Sequence, residues 1–311
     1  MKNIRKWLLS IFGFLILVFI VVTGNHNIQL MNEEERLTPL GEMVNVYGNE
    51  MHVYKEGKGD KTLIFMSGGR SSSPVLDFKA LYSELSDEFV AVVVEKSGYG
   101  FSEITNSDRN IEAILSETRR ALELAKIEPP YVLVPHALSG LEAIYWAQTY
   151  PDEIEAIIGL DMATPSTYEN YTVNLPLTRL TKFAANKGFI RLIPKAYESD
   201  AIQSGQLTEE EEELYKAVHH RRMLTSPMIN EIEEVKENAK RIKVGGIPKI
   251  PIHLFSSNGE RTGFSARTWL EFQTDFAKKA TNGQLTKLDV PHSVHNYAYK
   301  QIADEIREFL R

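Results

Sequence analysis

The 311-residue chain contains no cysteine. Thiol catalysis, disulfide bonds, thiolate metal sites and a lipid-bearing cysteine after the leader are therefore excluded. Positive charge is also scarce: 35 Lys and Arg stand against 42 Asp and Glu, and the net charge of -7 argues against nucleic acid as the main partner. The glycine spacing of nucleotide-binding loops and the His-Glu-x-x-His pattern of zinc peptidases are absent as well. The sequence thus predicts neither a cofactor nor a metal.

Charge is missing from one long apolar run near the N-terminus. Lys2, Arg5 and Lys6 precede residues 7–23, an uncharged stretch of about 17 residues at the lower limit for crossing a bilayer. Residues 1–24 are predicted to be a transmembrane anchor, with the N-terminus in the cytoplasm and the rest of the chain outside the cell membrane. The small residues at 22–24 leave cleavage of a signal peptide, and hence secretion, as the alternative. Residues 25–40 are polar and acidic, which predicts a tether.

The remainder of the chain alternates between strand and helix patterns. Apolar runs at 62–66, 89–96, 131–134 and 153–160 are separated by amphipathic helical stretches, which is typical of a mostly parallel α/β sheet. Alternation stops in residues 163–245, which are helical in pattern, and resumes from residue 246. The fold class is therefore predicted as α/β, with a core in two parts (41–162 and 246–311) around a helical insertion (163–245).

Residues 131–148 hold the most informative stretch. An apolar strand reaches Pro135-His136, and a helical pattern begins near Ser139, so the turn between them is very tight. The segment Pro135-His136-Ala137-Leu138-Ser139-Gly140 resembles the nucleophile elbow of the α/β-hydrolase superfamily, commonly G-H-S-x-G-G. Ala137 stands where the nucleophilic Ser would be. Ser139 is the alternative nucleophile, but that register places the bulky Leu141 where a small residue is needed.

The resemblance implies a chain order of nucleophile, acid and histidine. His292, in a loop ahead of the closing helix, takes the position of the base, with His295 as the alternative. Glu260 takes the position of the acid, in a segment that resembles P-V-L-V-I-x-G-x-x-D, and Asp161 is the alternative acid. The oxyanion donors implied are the backbone N–H groups of Leu138 and Gly69, with Arg70 as an alternative to Gly69.

Resemblance over residues 40–310 implies an α/β-hydrolase fold with residues 163–245 as its cap, in the proline iminopeptidase-like and small-ester hydrolase branches. The implied activity is that of a serine hydrolase, a carboxylesterase or aminopeptidase, acting on a small-molecule ester, an amide or a short peptide. Because Ala137 has no hydroxyl, no acyl-enzyme can form in the chain as written.

Two interpretations of Ala137 stay open. Either it replaces the Ser of a parent enzyme, by engineering or as an isolated variant, or the chain is a natural pseudoenzyme that binds a small molecule or peptide. Epoxide hydrolases and dehalogenases need Asp at position 137, so Ala137 does not indicate either of them.

Overall fold

Eight strands form one sheet in the computed structural model, which describes residues 2–169 and 171–311. In chain order the strands are β1 (Glu42–Val46), β2 (Asn49–Gly57), β3 (Thr62–Met66), β4 (Val90–Glu95), β5 (Tyr131–Pro135), β6 (Ile154–Leu160), β7 (Ile252–Ser256) and β8 (Gly283–Lys287). Their order across the sheet is β1-β2-β4-β3-β5-β6-β7-β8. β1 and β2 pair antiparallel and β2 is antiparallel to β4, whereas β3 to β8 run parallel. The predicted mostly parallel α/β sheet is confirmed.

Twelve α-helices accompany the sheet in the described part of the chain. They are α1 (Lys2–Glu33), α2 (Pro74–Asp77), α3 (Lys79–Leu85), α4 (Ile111–Leu124), α5 (Gly140–Thr149), α6 (Leu175–Asn186), α7 (Asp200–Gln203), α8 (Glu209–Arg222), α9 (Ser226–Gly245), α10 (Ala266–Lys279), α11 (Val294–Tyr297) and α12 (Tyr299–Phe309). Helices α6 to α9 and the segments that join them lie between β6 and β7 and are called the cap below.

The core lies on both faces of the sheet because the central strands are apolar throughout. Successive side chains of a strand point to opposite faces. Leu133 accordingly belongs to one buried cluster, and its neighbours Val132 and Val134 belong to the cluster on the other face. Parallel strands end at one edge of the sheet, so the loops after β3, β5, β6 and β7 meet there. This edge carries the candidate site.

Helix α1 continues to Glu33, so residues 25–33 differ from the tether predicted for 25–40. One face of the helix packs on the cap. Thr23 donates to the carbonyl of Lys187, and Glu33 forms ion pairs with Arg191 and Arg221. These contacts hold a polar stretch in helical form although its composition alone is that of a linker. The helix is long and apolar enough to cross a membrane, a test that signal sequences also pass.

Candidate active site

The turn after β5 has the geometry of a nucleophile elbow. The whole of β5 is buried, and Ala137 follows it with a φ of 51°, in the left-handed region that residues with a side chain rarely adopt. A 3-10 turn (Ala137–Ser139) then leads directly into α5. The backbone of Gly140 passes so close to Ala163 that a side chain at 140 would overlap the Ala163 carbonyl oxygen. The start of α5 therefore packs tightly against the segment after β6, and position 137 lies at the sheet edge.

The Ser139 hydroxyl is held within the turn. It donates to the Met66 carbonyl oxygen over 2.6 Å and accepts from the His136 N–H over 3.1 Å. Its side chain is buried, with 1% of its surface exposed. These two hydrogen bonds connect the end of β5 to the end of β3. Because the hydroxyl is fully engaged with backbone groups, the geometry does not favour Ser139 as the nucleophile.

The glycine segment after β3 lies against the elbow. A Cβ added to Gly68 would stand 2.8 Å from the Cβ of Ala137, and one added to Gly69 would stand 3.3 Å from the Leu138 side chain. Only a residue without a side chain permits such an approach at position 68. The segment thus brings the backbone of Gly69 beside Leu138, the two residues predicted as oxyanion donors.

His292 is paired with a buried carboxylate. Its Nδ1 lies 2.5 Å from Oδ2 of Asp161, which directly follows β6 and is fully buried. The other oxygen, Oδ1, accepts from the Ser257 backbone N–H and from Trp269 Nε1, both over 2.7 Å. Three contacts on one carboxylate fix its orientation and offset the cost of burying its charge. Because Nδ1 is paired with Asp161, Nε2 of His292 is the ring nitrogen that can accept a proton from a neighbouring group.

The carboxylate beside His292 is therefore that of Asp161, the alternative acid, and not that of Glu260. Glu260 lies in the loop after β7 with its side chain exposed. Its N–H bonds to Oδ1 of Asn258 over 3.0 Å, and its carbonyl accepts from the His292 N–H over 3.1 Å. Glu260 thus holds the His292 loop through its backbone while its side chain points elsewhere.

Two further histidines lie behind His292, with tilted or edge-on ring contacts. The ring of His136 lies 4.7 Å from that of His292 and 4.6 Å from that of His295, centroid to centroid. Burial, together with the nearby His292, lowers the pKa of His136 to about 3, and burial places the pKa of His295 well below its usual value. Both rings are consequently neutral near pH 7, and His295, buried against Phe78, is the less suitable base.

Ala137 and His292 line two adjoining cavities. The larger, of about 310 Å³, is called the polar cavity, and the smaller, of about 200 Å³, is called the apolar cavity. Charged side chains line the polar cavity, namely Arg70, Asp77, Glu198, Asp200 and Arg261. The apolar cavity shares Arg70, Arg261 and His292 with the polar cavity, and differs in its large apolar and aromatic side chains, namely Leu138, Tyr168, Tyr171, Ile232 and Val235. A ligand that reaches both would meet these apolar side chains on one side of Ala137 and the additional charged side chains on the other.

Two carboxylates of the polar cavity have pKa values shifted in opposite directions. Asp77 accepts hydrogen bonds from Ser71 and from Tyr215 OH, but burial raises its pKa to about 6. Asp200 accepts from Ser293 Oγ over 2.6 Å and from Tyr297 OH over 2.5 Å. Burial opposes ionisation of Asp200, yet these hydrogen bonds and its contact with Arg261 outweigh it and lower the pKa.

Trp269 and Ser257 support Asp161 and were not predicted from the sequence. Trp269 lies on α10, 108 positions from Asp161. No spacing rule connects the two, because their contact depends on how α10 packs against the sheet edge. For Ser257 a signal existed: it directly follows β7, which neighbours β6, the strand that Asp161 directly follows.

The chain is similar to known proteins over its whole length. No protein-family model matches it. The uncharacterized protein YbdG of Bacillus subtilis (strain 168) is 34% identical over 318 aligned residues, which cover 100% of this chain and 98% of that protein. Among solved structures, the epoxide hydrolase VrEH1 from Vigna radiata is 18% identical with a TM-score of 0.68, over 86% of this chain and 97% of that one. The enol-lactonase from Burkholderia xenovorans LB400 is 16% identical with a TM-score of 0.61, over 86% and 99%.

Proposed function

The chain belongs to the same family as YbdG and has the α/β-hydrolase fold predicted for it, and on that premise we propose that it is the scaffold of a serine hydrolase with Ala137 at the nucleophile position. Its structural neighbours of this fold include hydrolases. The observation that carries the proposal is the His292–Asp161 pair beside a left-handed Ala137. A buried, fully bonded carboxylate and a strained turn are both costly, and serine chemistry uses both.

Each group has a role in acyl transfer once a hydroxyl stands at position 137. His292 Nε2 takes the hydroxyl proton as the oxygen attacks the carbonyl carbon, and Asp161 stabilises the imidazolium that results. The N–H groups of Leu138 and Gly69 bind the oxyanion, and His292 then protonates the leaving group. Without the hydroxyl, turnover falls by about a millionfold, and the chain as it stands binds substrate with little hydrolysis.

The two cavities indicate the substrate class. An ester, amide or short peptide whose carbonyl lies at Ala137 would place one half in the polar cavity and the other in the apolar cavity. A combined volume of several hundred Å³ suits a small molecule.

We also propose that α1 stays attached and anchors the domain outside the cell membrane. Its apolar run supports insertion, and the positive residues Arg5 and Lys6 ahead of the run support a cytoplasmic N-terminus. Retention is further supported by Thr23, whose contact with the cap would be lost on cleavage near residue 24.

The test is Ala137→Ser in the full chain, exposed to a fluorophosphonate probe that labels activated serines. We expect covalent labelling of the variant and none of the unchanged chain. Labelling that depends on His292, and is lost in Ala137→Ser/His292→Ala, assigns the introduced hydroxyl to the site.

A matched pair of variants in the Ala137→Ser background identifies the acid. Asp161→Asn should slow labelling by a factor of about 10⁴, since a neutral partner fixes the wrong histidine tautomer. Glu260→Gln changes an exposed side chain in the same way and should label normally. Loss of labelling in Glu260→Gln alone would return the acid role to Glu260.

The alternative function is a natural pseudoenzyme, and the same experiment separates it. A folded Ala137→Ser chain that takes up no probe contradicts the serine hydrolase proposal. Retained binding of a small ester or peptide by the unchanged chain, without any gain from the hydroxyl, is the result that a binding protein gives.

A further inference from the structure

The cap carries an exposed apolar surface, called the apolar cap face, that the proposed function does not use. It consists of Leu177, Leu180, Phe183, Leu192 and Ile193, each with half or more of its surface exposed. The first three are spaced three apart on α6 and so form one stripe along the helix. Leu192 ends a 3-10 turn (Phe189–Leu192) that contacts α6, and Ile193 follows it. Contiguous apolar exposure of this kind marks an interaction surface more often than chance.

This face adjoins the apolar part of α1. The ring of Phe19 stacks on that of Phe183 at 6.3 Å and lies 6.0 Å from that of Phe189. Phe19 belongs to the apolar run and precedes Val22, the last apolar residue of the run, by three positions. Since a helix rises 1.5 Å per residue, the cap meets α1 about 4–5 Å inside the outer end of the run.

Polar contacts between α1 and the cap begin beyond that level. His26 accepts from Arg191 Nε over 2.9 Å, and Glu33, about two turns further on, pairs with Arg191 and Arg221. Along the axis of α1, contacts with the cap therefore change from apolar to charged between Phe19 and His26. A bilayer imposes such a change at its interface.

We propose that the apolar cap face lies in the outer interfacial layer of the bilayer that holds α1. This proposal rests on the membrane anchor proposed above, but not on hydrolase chemistry. The occupant is lipid because the face is continuous with helix surface that lipid would cover. Amphipathic helices at such interfaces sit with their apolar side about 5–10 Å into the headgroup and acyl boundary.

The absence of cysteine makes the test direct, since any introduced thiol is the only one. Leu180→Cys and Leu192→Cys, in the full chain, are labelled with the fluorophore NBD and placed in nanodiscs of phosphatidylcholine and phosphatidylglycerol. Leu15→Cys, within the apolar run, reports on the anchor. Val244→Cys, at the end of α9 and 90% exposed, is the aqueous control. Quenching by iodide is compared with quenching by spin-labelled lipid.

We expect labels at 180 and 192 to resemble the label at 15, with several-fold weaker iodide quenching and stronger lipid quenching than at 244. Iodide access at 180 and 192 equal to that at 244, with lipid quenching at 15, overturns the inference and leaves the anchor intact. Protection from iodide without lipid quenching also overturns it, in favour of a protein partner or a second copy. A label at 15 that lipid fails to quench overturns the anchor as well.

Discussion

Ala137 has a left-handed backbone conformation, which is unfavourable for alanine. A left-handed φ at a residue with a Cβ costs about 1–3 kcal/mol, which the fixed ends of β5 and α5 must offset. If position 137 did not have to present a reactive side chain, glycine there would remove this cost, because glycine adopts a positive φ without strain. The conformation is thus the one that a nucleophile would use, held by a residue that cannot attack.

Asp77 supplies a prediction about pH at the scale of one residue. Burial raises its pKa to about 6, so the folded state binds its proton more tightly than the unfolded state, and stability from this group falls as pH rises from about 4 to 6. Asp77→Asn should therefore raise the melting temperature by about 2 °C at pH 8. Near pH 4.5 the acid is largely protonated, and the two proteins should melt alike.

The measurement is thermal unfolding by circular dichroism across that pH range. Glu260→Gln removes an exposed carboxylate near the same cavity and serves as the control, with no such pH-dependent difference expected. An equal gain from Asp77→Asn at both pH values would mean that the charge of Asp77 is not what limits stability there.

At the residue scale, the sequence identified only those site residues that follow from a motif or from the order of groups along the chain. Ala137 and His292 follow from motif and order, and the structure brings them to the same cavities. Asp161 and Glu260 both follow parallel strands at the same sheet edge, so spacing alone leaves both available. The choice depends on the direction of one side chain and on Trp269, whose position is set by tertiary packing.

At the scale of elements, Gly188 controls how α1 meets the cap. It has a φ of 81°, and a methyl group there would overlap Cβ of His26. Gly188→Ala should therefore separate α1 from the cap and speed amide exchange over residues 26–33 several-fold. Gly205 offers a matched control, because its φ is 69° but a methyl group would meet nothing within 4 Å.

Gly205→Ala carries the same backbone cost, about 1 kcal/mol, without the collision. Hydrogen exchange measured on both full-length variants in detergent or nanodiscs separates strain from contact. Equal exchange over residues 26–33 in both variants would indicate that α1 does not depend on close approach at Gly188.

The tether predicted for residues 25–40, of which 25–33 are helical, belongs to the same scale. Residues 25–33 are polar and acidic, and composition alone cannot distinguish a solvated linker from a helix paired with distant cations. Arg191 and Arg221 lie more than 150 residues away in sequence, and only the folded cap brings them to Glu33. The alternation of strands and helices was readable because its signals are local.

For the whole molecule, retention of α1 predicts behaviour in cells. We expect the full chain to remain in the membrane fraction after alkaline extraction, with residues 1–24 present by mass spectrometry. Leu15→Arg, combined with Ile16→Arg, should reduce retention, since each charge at mid-bilayer costs about 2.5–3.5 kcal/mol. Val244→Arg adds one such charge to exposed surface and should have no effect. A new N-terminus near residue 25 and release from the membrane would support secretion.

The attachment of α1 to the cap also decides which part of the protein can move. Glu33 fastens the helix to Arg191 and Arg221, while Asp200 joins the cap to Ser293 and Tyr297 of the core. If α1 is anchored as proposed and substrate entry separates α6 to α8 from the core, the Asp200 contacts and the Lys79–Glu211 ion pair must break while the bilayer keeps these helices in place. The larger body, with the sheet and His292, would then swing away from stationary helices, and the core itself would serve as the lid.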